Sequence, residues 1–228
     1  MIKLNMNNKV IAAFIVVLTS FSAQASIIVE DFESGLTGFF TFSDAGVVNA
    51  NITSAVPADS VPGASPGNSV LEVGFAASGG FGGVAQDFAT TSDWSTYSSF
   101  NFWLYGTGLG NTLYVDIRED DGGIANCCGA EIWSVNFTDS TFGWSLIEIP
   151  FSAFVYKTGA PSDGLGLTDV RGWAFGYDNL AANTTYYIDD VRLVPEPNTL
   201  AIIGLGLAGL VFSRRKRLNY FAKFRVVS

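Results

Sequence analysis

Short apolar and aromatic segments, separated by clusters of glycine, asparagine, aspartate and proline, recur along residues 26–195. They are rich in valine, isoleucine, phenylalanine, tyrosine, tryptophan and threonine, which are typical of β-strands. No stretch has a 3.6-residue hydrophobic period over a helical length. The clearest strand candidates are SVLEVGFAA, YSSFNFWLYG, NTLYVDIRED, AEIWSVNFT, GWSLIEIPF, VRGWAFGYD and TTYYIDDVRLV. Seven or more strands at this spacing predict an all-β fold, an antiparallel β-sandwich or jelly roll.

Alternation within these strands separates a core face from an outer face, because successive side chains of a strand point to opposite sides. The predicted core residues are Leu113, Val115 and Ile117 in one strand and Phe100, Phe102 and Leu104 in another. The opposite faces carry Tyr114, Asp116, Arg118 and Asp120 in the first strand, and Asn101, Trp103 and Tyr105 in the second.

Aromatic rings beside charged hydrogen-bonding groups suit sugars, which stack on flat rings and exchange hydrogen bonds through their hydroxyls. The candidate sugar-contacting residues are Tyr114, Asp116 and Arg118, with Trp103, Tyr105 and Trp133 as stacking rings. The alternative is an ordinary solvated sheet face with an ion pair between Arg118 and Asp116 or Asp120.

The N-terminus predicts a secretory signal peptide covering residues 1–25. Lys3 and Lys9 precede the apolar run VIAAFIVVL, and Ala23-Gln24-Ala25 has the pattern of a cleavage site for signal peptidase. An uncleaved N-terminal membrane anchor is the alternative.

The C-terminus predicts a short transmembrane helix over residues 198–213. Gly204, Gly206 and Gly209 form a GxGxxG pattern, but too little chain follows for the βαβ unit that a dinucleotide-binding turn requires. The uncharged run would form a helix of about 24 Å, which can span a bilayer core of about 30 Å with local thinning. The basic cluster that follows places residues 218–228 in the cytoplasm and the domain outside the inner membrane.

Charge and composition exclude several functions. Residues 26–195 contain 20 acidic residues and four basic ones, a formal charge of −16. Such a surface repels phosphate backbones, so we expect no nucleic-acid partner; it suits divalent cations or neutral ligands. The chain contains no histidine, which excludes a Ser-His-Asp triad, a Cys-His pair and a histidine-ligated zinc site.

The cysteines Cys127 and Cys128 are adjacent. Their Cα atoms would be about 3.8 Å apart, below the usual disulfide range of about 4.4 to 6.8 Å. A strained vicinal disulfide, an intermolecular bridge and a pair of thiols without a role all stay open.

The order of the segments resembles that of family 11 carbohydrate-binding modules, which are galactose-binding-like jelly rolls. The resemblance covers residues 27–194 and is carried by IIVEDFES, GNSVLEVGF, GGFGGVAQDF, WSTYSSFNFWLYGTG, LYVDIRED, WSLIEIPFSAF and YYIDDVRL. It implies non-catalytic binding of β-1,3-1,4-glucan or β-1,4-glucan in a concave cleft. Cleft histidines occur in that family, whereas this chain has none.

The same resemblance implies a structural Ca²⁺ ion that joins the first and last strands. The matching residues are Glu33 and Asp190, with Asp31 and Asp189 as neighbours and backbone carbonyls before Val70 completing the oxygen ligands that Ca²⁺ requires. The loop from Glu119 to Gly123 is a second candidate, although it lacks EF-hand spacing.

The tail resembles the PEP-CTERM sorting signal over residues 195–217. It has Pro195-Glu196-Pro197, the apolar span and the basic cluster Arg214-Arg215-Lys216-Arg217. The resemblance implies an exosortase as processing enzyme, a transient anchor in the inner membrane, and a cell-surface or matrix destination in a Gram-negative bacterium that makes exopolysaccharide for its biofilm.

The sequence therefore predicts an exported, non-enzymatic protein that binds polysaccharide through residues 26–194. The main alternative is a structural or adhesive envelope protein without glycan binding. A glycoside hydrolase is a further alternative, because such enzymes need two nearby carboxyls; Glu131 and Glu148 are isolated strand glutamates.

Overall fold

A computed structural model describes residues 25–44, 48–53, 61–64, 67–119, 130–159 and 163–196. These residues form twelve β-strands and one turn of 3-10 helix at Phe151–Ala153. The strands are β1 (Ile27–Glu30), β2 (Phe39–Ser43), β3 (Val48–Thr53), β4 (Val70–Phe75), β5 (Ser78–Ser92), β6 (Tyr97–Thr107), β7 (Thr112–Glu119), β8 (Glu131–Thr138), β9 (Phe142–Pro150), β10 (Val155–Thr158), β11 (Val170–Leu180) and β12 (Thr184–Pro195).

Two antiparallel six-stranded sheets pack into a sandwich. The first sheet has the order β3-β4-β12-β6-β9, and β1 pairs with β12. The second sheet has the order β10-β8-β7-β11-β5-β2. The prediction of an all-β antiparallel sandwich is confirmed.

The core lies between the sheets and follows the predicted alternation. Leu113, Val115 and Ile117 of β7 have no exposed surface, and Phe100 and Phe102 of β6 are buried against them. Ser26–Pro195 forms one compact unit that contains all the described strands and their core. This segment therefore has what it needs to fold when it is produced alone.

The longest described strand, β5, is not among the sequence candidates, because its glycines have low β-propensity. The structure shows why glycine occurs there. A Cβ atom on Gly83 would lie 2.6 Å from Cζ of Phe42, and one on Gly82 would lie 2.9 Å from Cε1 of Tyr177. Aromatic rings from neighbouring strands occupy the space that side chains on β5 would need.

Several predicted features lie outside the described residues: the signal peptide up to residue 24, the span at 198–213, the basic cluster at 214–217, the tail at 218–228 and both cysteines. Within the described ranges, no helix is long and apolar enough to cross a membrane.

Candidate functional site

A groove of about 450 Å³ runs over the outer face of the second sheet. Its floor is low because alanine and glycine occupy the central strands. Ala174 of β11 pairs with Ala85 of β5, and Gly176 pairs with Gly83 in the next outward-facing position. The sheet therefore has a depression over the two alanines, whereas the rings of Phe42 and Tyr114 lie over the two glycines.

Two opposite edges of the sheet supply the sides of this groove. Phe40 and Phe42 come from the edge strand β2, and Phe81 from the neighbouring β5. Lys157 comes from the other edge strand, β10, and Asp178 of β11 also lines the groove. The result is a mainly apolar cleft that also contains two cations, Arg118 and Lys157, and two carboxylates, Asp116 and Asp178.

Tyr114 lies within the groove, over the backbone of β11. A Cβ atom on Gly176 would overlap its ring and would also lie 2.5 Å from the carbonyl oxygen of Gly82. The Tyr114 hydroxyl donates to that same carbonyl at 3.4 Å. Burial is the main cause that raises the pKa of Tyr114 well above its ordinary value, so this hydroxyl stays protonated.

Ion pairs cover the charged groups of β7. The ammonium of Lys157 lies 3.0 Å from Oδ2 of Asp116 and 4.1 Å from the centre of the Tyr114 ring. Burial raises the pKa of Asp116, and the Lys157 charge opposes that rise. Asp116 is therefore held as the partner of Lys157 on the groove wall.

Arg118 forms the matching pair on the other side of β7. Its guanidinium pairs with Asp87 and lies 5.6 Å from the centre of the Phe40 ring. The strand between them carries Gly172, which pairs with both Asp87 and Arg118. One nitrogen of Arg118, Nη2, is buried without a hydrogen-bond partner among the described residues.

The structure thus brings the predicted residues Tyr114, Asp116 and Arg118 together, but they are only 1%, 4% and 4% exposed. A ligand that enters the groove first meets the groups around them. These are Phe40, Phe42, Phe81, Lys157 and Asp178, none of which is among the candidates predicted from the sequence. Alternation in FFTF and WAFGYD could have placed the first two rings and Asp178 on outer faces.

The grouping of Trp103 and Tyr105 with these residues is wrong. Both lie on β6, which pairs with β12 and β9 in the first sheet, on the opposite side of the sandwich. Alternation assigns a residue to one of two faces of its own strand, but it does not say which sheet the strand joins.

Trp133 is also misplaced by the prediction. It pairs with the core residue Ile117, packs against the core and contacts Tyr156 edge-on at 5.8 Å. Its ring therefore faces inward from the second sheet rather than into the groove.

The two glutamates of the hydrolase alternative are not neighbours. Glu131 is fully buried on β8 in the second sheet, whereas Glu148 is exposed on β9 in the first sheet. They cannot act as the carboxyl pair of a glycosidase, which must flank one bond.

Of the predicted calcium residues, two meet at one loop. Glu33 accepts a hydrogen bond from the Ser69 amide at 2.6 Å, and Asp189 accepts one from the Asn68 side chain at 2.6 Å. Asp189 also accepts one from the Asp190 amide at 2.7 Å. The N-terminal segment and β12 therefore meet at a seam formed by this loop.

The other two carboxylates have different partners. A β-bulge at Asp190, whose φ is +53°, turns its side chain toward Arg192. Asp31 accepts a hydrogen bond from the Glu33 amide at 3.2 Å. Among the described residues, no group of three or more acidic or cysteine side chains is placed to hold a metal ion.

The sorting motif begins inside the domain. Pro195 is the last residue of β12 and pairs with Tyr97, and Glu196 follows it exposed. Pro197 lies outside the described residues.

Comparison with protein-family models gives two matches. The model of a carbohydrate-binding domain, family 11, matches residues 18–196. The model of the PEP-CTERM protein-sorting motif matches residues 193–217. A search of curated proteins finds no match.

Solved structures with the same fold include family 11 carbohydrate-binding modules of Clostridium thermocellum. The module of its cellulosomal cellulase Lic26A-Cel5E has a TM-score of 0.60 and 22% identity, and the match covers 76% of this chain and 96% of that one. A module solved with a β-1,3-1,4-mixed-linked tetrasaccharide has a TM-score of 0.61 and 23% identity, over 76% and 98% of the two chains. A family 30 module of a cellulosomal cellulase from the same organism has a TM-score of 0.57 and 14% identity, over 77% and 100%.

Proposed function

The chain belongs to the family 11 carbohydrate-binding domains, and on that premise we propose that the groove of its second sheet binds a neutral, β-glucan-like polysaccharide without cleaving it. The observation that carries the proposal is the joint placement of Phe40, Phe42 and Phe81 along a floor that contains Ala85 and Ala174. Pyranose rings have apolar faces that pack on such rings, and a low floor admits an extended chain.

The charges of the groove support a neutral ligand. Lys157 is paired with Asp116, Arg118 is paired with Asp87, and Asp178 adds a carboxylate. Paired charges exchange hydrogen bonds with hydroxyl groups, whereas the net charge of −16 over residues 26–195 repels an acidic polysaccharide.

The exposure and pairing of the carboxylates in the groove support binding without hydrolysis. Hydrolysis of a glycosidic bond needs two carboxyls that flank it and can reach it. Asp116 is 4% exposed and engaged by Lys157. Asp178 is therefore the one open carboxylate among the described groove residues.

Affinity electrophoresis of Ser26–Pro195 tests the ligand class. We expect mixed-linkage β-glucan in the gel to retard the domain and the acidic polymer polygalacturonate to leave its mobility unchanged. Equal retardation by both polymers would contradict the neutral-ligand proposal. A folded domain that no neutral polysaccharide retards would favour the structural or adhesive alternative.

We further propose that Ca²⁺ binds at the seam, held by Glu33, Asp189 and backbone carbonyls of the Asn68–Ser69 loop. The support is the convergence of both carboxylates on that loop. Burial, followed by the charges of Asp190 and Glu33, raises the pKa of Asp189 to about 6. A cation at this position would offset the repulsion and the burial; Asp190, paired with Arg192, does not take part.

The calcium proposal predicts a pH-dependent stability. In EDTA the folded state retains a proton on Asp189 up to about pH 6, so stability falls as pH rises from about 4 to 6. The raised pKa corresponds to at most about 3 kcal/mol. Because Ca²⁺ requires the carboxylate, the gain in Tm on adding it should be large at pH 7 and absent at pH 4.

Substitution tests the same site. Asp189→Asn should abolish both the rise in Tm on adding Ca²⁺ and the fall in stability with rising pH in EDTA. The control Glu148→Gln, at an exposed residue, should keep both effects. An equal Tm of the unmodified domain in EDTA and in excess Ca²⁺ at pH 7 would remove the calcium proposal.

The sorting motif indicates an exported protein whose C-terminal anchor is processed. We propose that an exosortase acts on it after export and that the domain then remains at the cell surface or in an exopolysaccharide matrix. A polysaccharide-binding groove gives the domain a ligand at that destination.

A further inference from the structure

A second cluster of aromatic residues lies on the outer face of the first sheet, opposite the groove. We call it the aromatic face; its residues are Trp103, Tyr105, Phe142, Trp144, Leu146 and Tyr187. Tyr187, Tyr105 and Trp144 form one row across β12, β6 and β9. Tyr105 lies 6.0 Å from Tyr187, 5.4 Å from Trp144 and 5.7 Å from Phe142, all in edge-on contacts.

Packing within the sheet does not account for the whole cluster. Phe142 is 76% exposed and Leu146 is 41% exposed, so most of the Phe142 side chain and a large part of the Leu146 side chain meet solvent. Cross-strand contact explains Tyr105 and its neighbours, but it gives Phe142 little stabilisation. Exposed apolar patches with polar borders mark binding surfaces in soluble proteins.

Two buried polar atoms at the border of the aromatic face have no hydrogen-bond partner among the residues that the structure describes. Asn101 shares the outer face of β6 with Trp103 and Tyr105 and is 3% exposed. Its amide donates to Glu148 at 3.3 Å, but within the described part of the chain its buried Oδ1 has no hydrogen-bond partner. Arg192 pairs with Asn101 across the strands, and its buried Nε also has none. A buried polar group without a partner is costly and indicates a missing hydrogen-bonding group.

The charged groups of this border favour a neutral occupant, because Arg192 is paired with Asp190 and the other charged groups are carboxylates. Glu72 lies beside Tyr187 and helps to raise the pKa of that hydroxyl after burial, and Glu148 lies beside Asn101. Carboxylates with an amide beside aromatic rings accept and donate hydrogen bonds to hydroxyl groups. The same carboxylates, on a domain of charge −16, disfavour acidic polymers and anionic membrane surfaces.

We propose that the aromatic face is a second polysaccharide-binding surface for neutral glycan chains. The two sheets of a sandwich pack about 10 Å apart, with their outer faces directed away from each other. One glycan segment therefore cannot lie on both surfaces. A domain with two such surfaces joins two chains, so this protein cross-links polysaccharide as well as binding it. The aromatic-face site is independent of the groove, whereas the cross-linking also rests on the proposed function of the groove.

Calorimetry and light scattering of Ser26–Pro195 test the proposal. The probes are the β-1,3-1,4-mixed-linked tetrasaccharide, for the number of sites, and soluble mixed-linkage β-glucan, for cross-linking. The aromatic-face variants are Phe142→Ala, whose exposed side chain can be removed without risk to folding, and Phe142→Ala with Trp144→Ala. The groove variant is Phe42→Ala with Phe81→Ala, and the control is Leu109→Ala, at a residue that is 66% exposed in the β6–β7 turn.

We expect two sites per domain, and one in the aromatic-face double variant and in the groove variant. Light scattering by the cross-linked polymer should be at least about tenfold lower with the aromatic-face double variant or the groove variant than with the unmodified domain. The control Leu109→Ala should scatter as the unmodified domain does. Binding that persists in the groove variant should quench tryptophan fluorescence, because Trp103 and Trp144 lie on the aromatic face.

Failure of this inference and failure of the groove proposal give different results. One site per domain, lost in the groove variant and kept by the aromatic-face variants, would overturn the inference and leave the groove proposal standing. Binding that only the aromatic-face variants lose would support the inference and remove the groove proposal. Self-association without sugar that Phe142→Ala abolishes would assign the face to a second copy of the chain and overturn the polysaccharide assignment.

Discussion

Alanine at both Phe42 and Phe81 should weaken binding of the mixed-linked tetrasaccharide at the groove by about 100-fold. The two rings lie side by side, 6.4 Å apart, along one side of the groove, and Phe81 is 44% exposed. Loss of about 1.5 kcal/mol of stacking and burial for each ring gives about 3 kcal/mol, which corresponds to that change in Kd.

Titration calorimetry of the double variant measures this loss, with circular dichroism to confirm the fold. Leu109→Ala removes a similarly exposed apolar side chain away from the groove and should bind as the unmodified domain does. A double variant that keeps its groove affinity would show that the phenylalanine side of the groove does not contact the ligand.

The second large effect is on stability. Gly176→Ala should reduce the free energy of unfolding by about 3 kcal/mol, the upper range for an overpacked site. Its Cβ atom would meet the Tyr114 ring on one side and, at 2.5 Å, the rigid backbone carbonyl of Gly82 on the other. Tyr114 would have to leave the position in which it forms part of the groove.

Urea denaturation compares this variant with Gly79→Ala, the same change in the adjacent strand β5. A Cβ atom on Gly79 meets only Asn179 Oδ1, at the ordinary distance of 3.8 Å. We expect Gly79→Ala to change stability by less than about 1 kcal/mol. Equal stabilities of the two variants would contradict the placement of Tyr114 over β11.

The β-sandwich could be predicted because alternation and β-propensity agree in β4, β6, β7, β8, β9, β11 and β12. The faces of β7 were predicted correctly, since Leu113 and Val115 lie in the core and Tyr114 lies outside it. Strand β5 could not be predicted by propensity, because its glycines are selected by the rings of other strands that lie over them.

Which residues share the site depends on how distant strands pair, and the alternation of residues within one strand does not determine that pairing. Trp103 of β6 and Tyr114 of β7 are close in sequence and follow the same alternation, yet their strands join different sheets. Conversely, Phe42 and Lys157 are far apart in sequence and meet at one groove because β2 and β10 are opposite edges of one sheet.

The burial of Asp116 and Arg118 also could not be predicted from the sequence. Asp116 and Arg118 have the appearance of open sugar-binding groups, but each is covered by a partner from another strand, Lys157 and Asp87. Removing Asp116 or Arg118 would leave Lys157 or Asp87 without its ion-pair partner, which changes the groove wall as well as any ligand contact. Their contribution to ligand binding is therefore better tested through the exposed rings than through their own truncation.

The most direct test of polysaccharide binding in the groove is a titration of Ser26–Pro195 with the mixed-linked tetrasaccharide, in which amide chemical shifts map the ligand contacts. We expect saturable shifts at Phe42, Phe81, Lys157 and Asp178, on strands β2, β5, β10 and β11 of the second sheet. A ligand that saturates the domain and leaves all four amides unshifted would contradict the assignment of the groove as a polysaccharide-binding site.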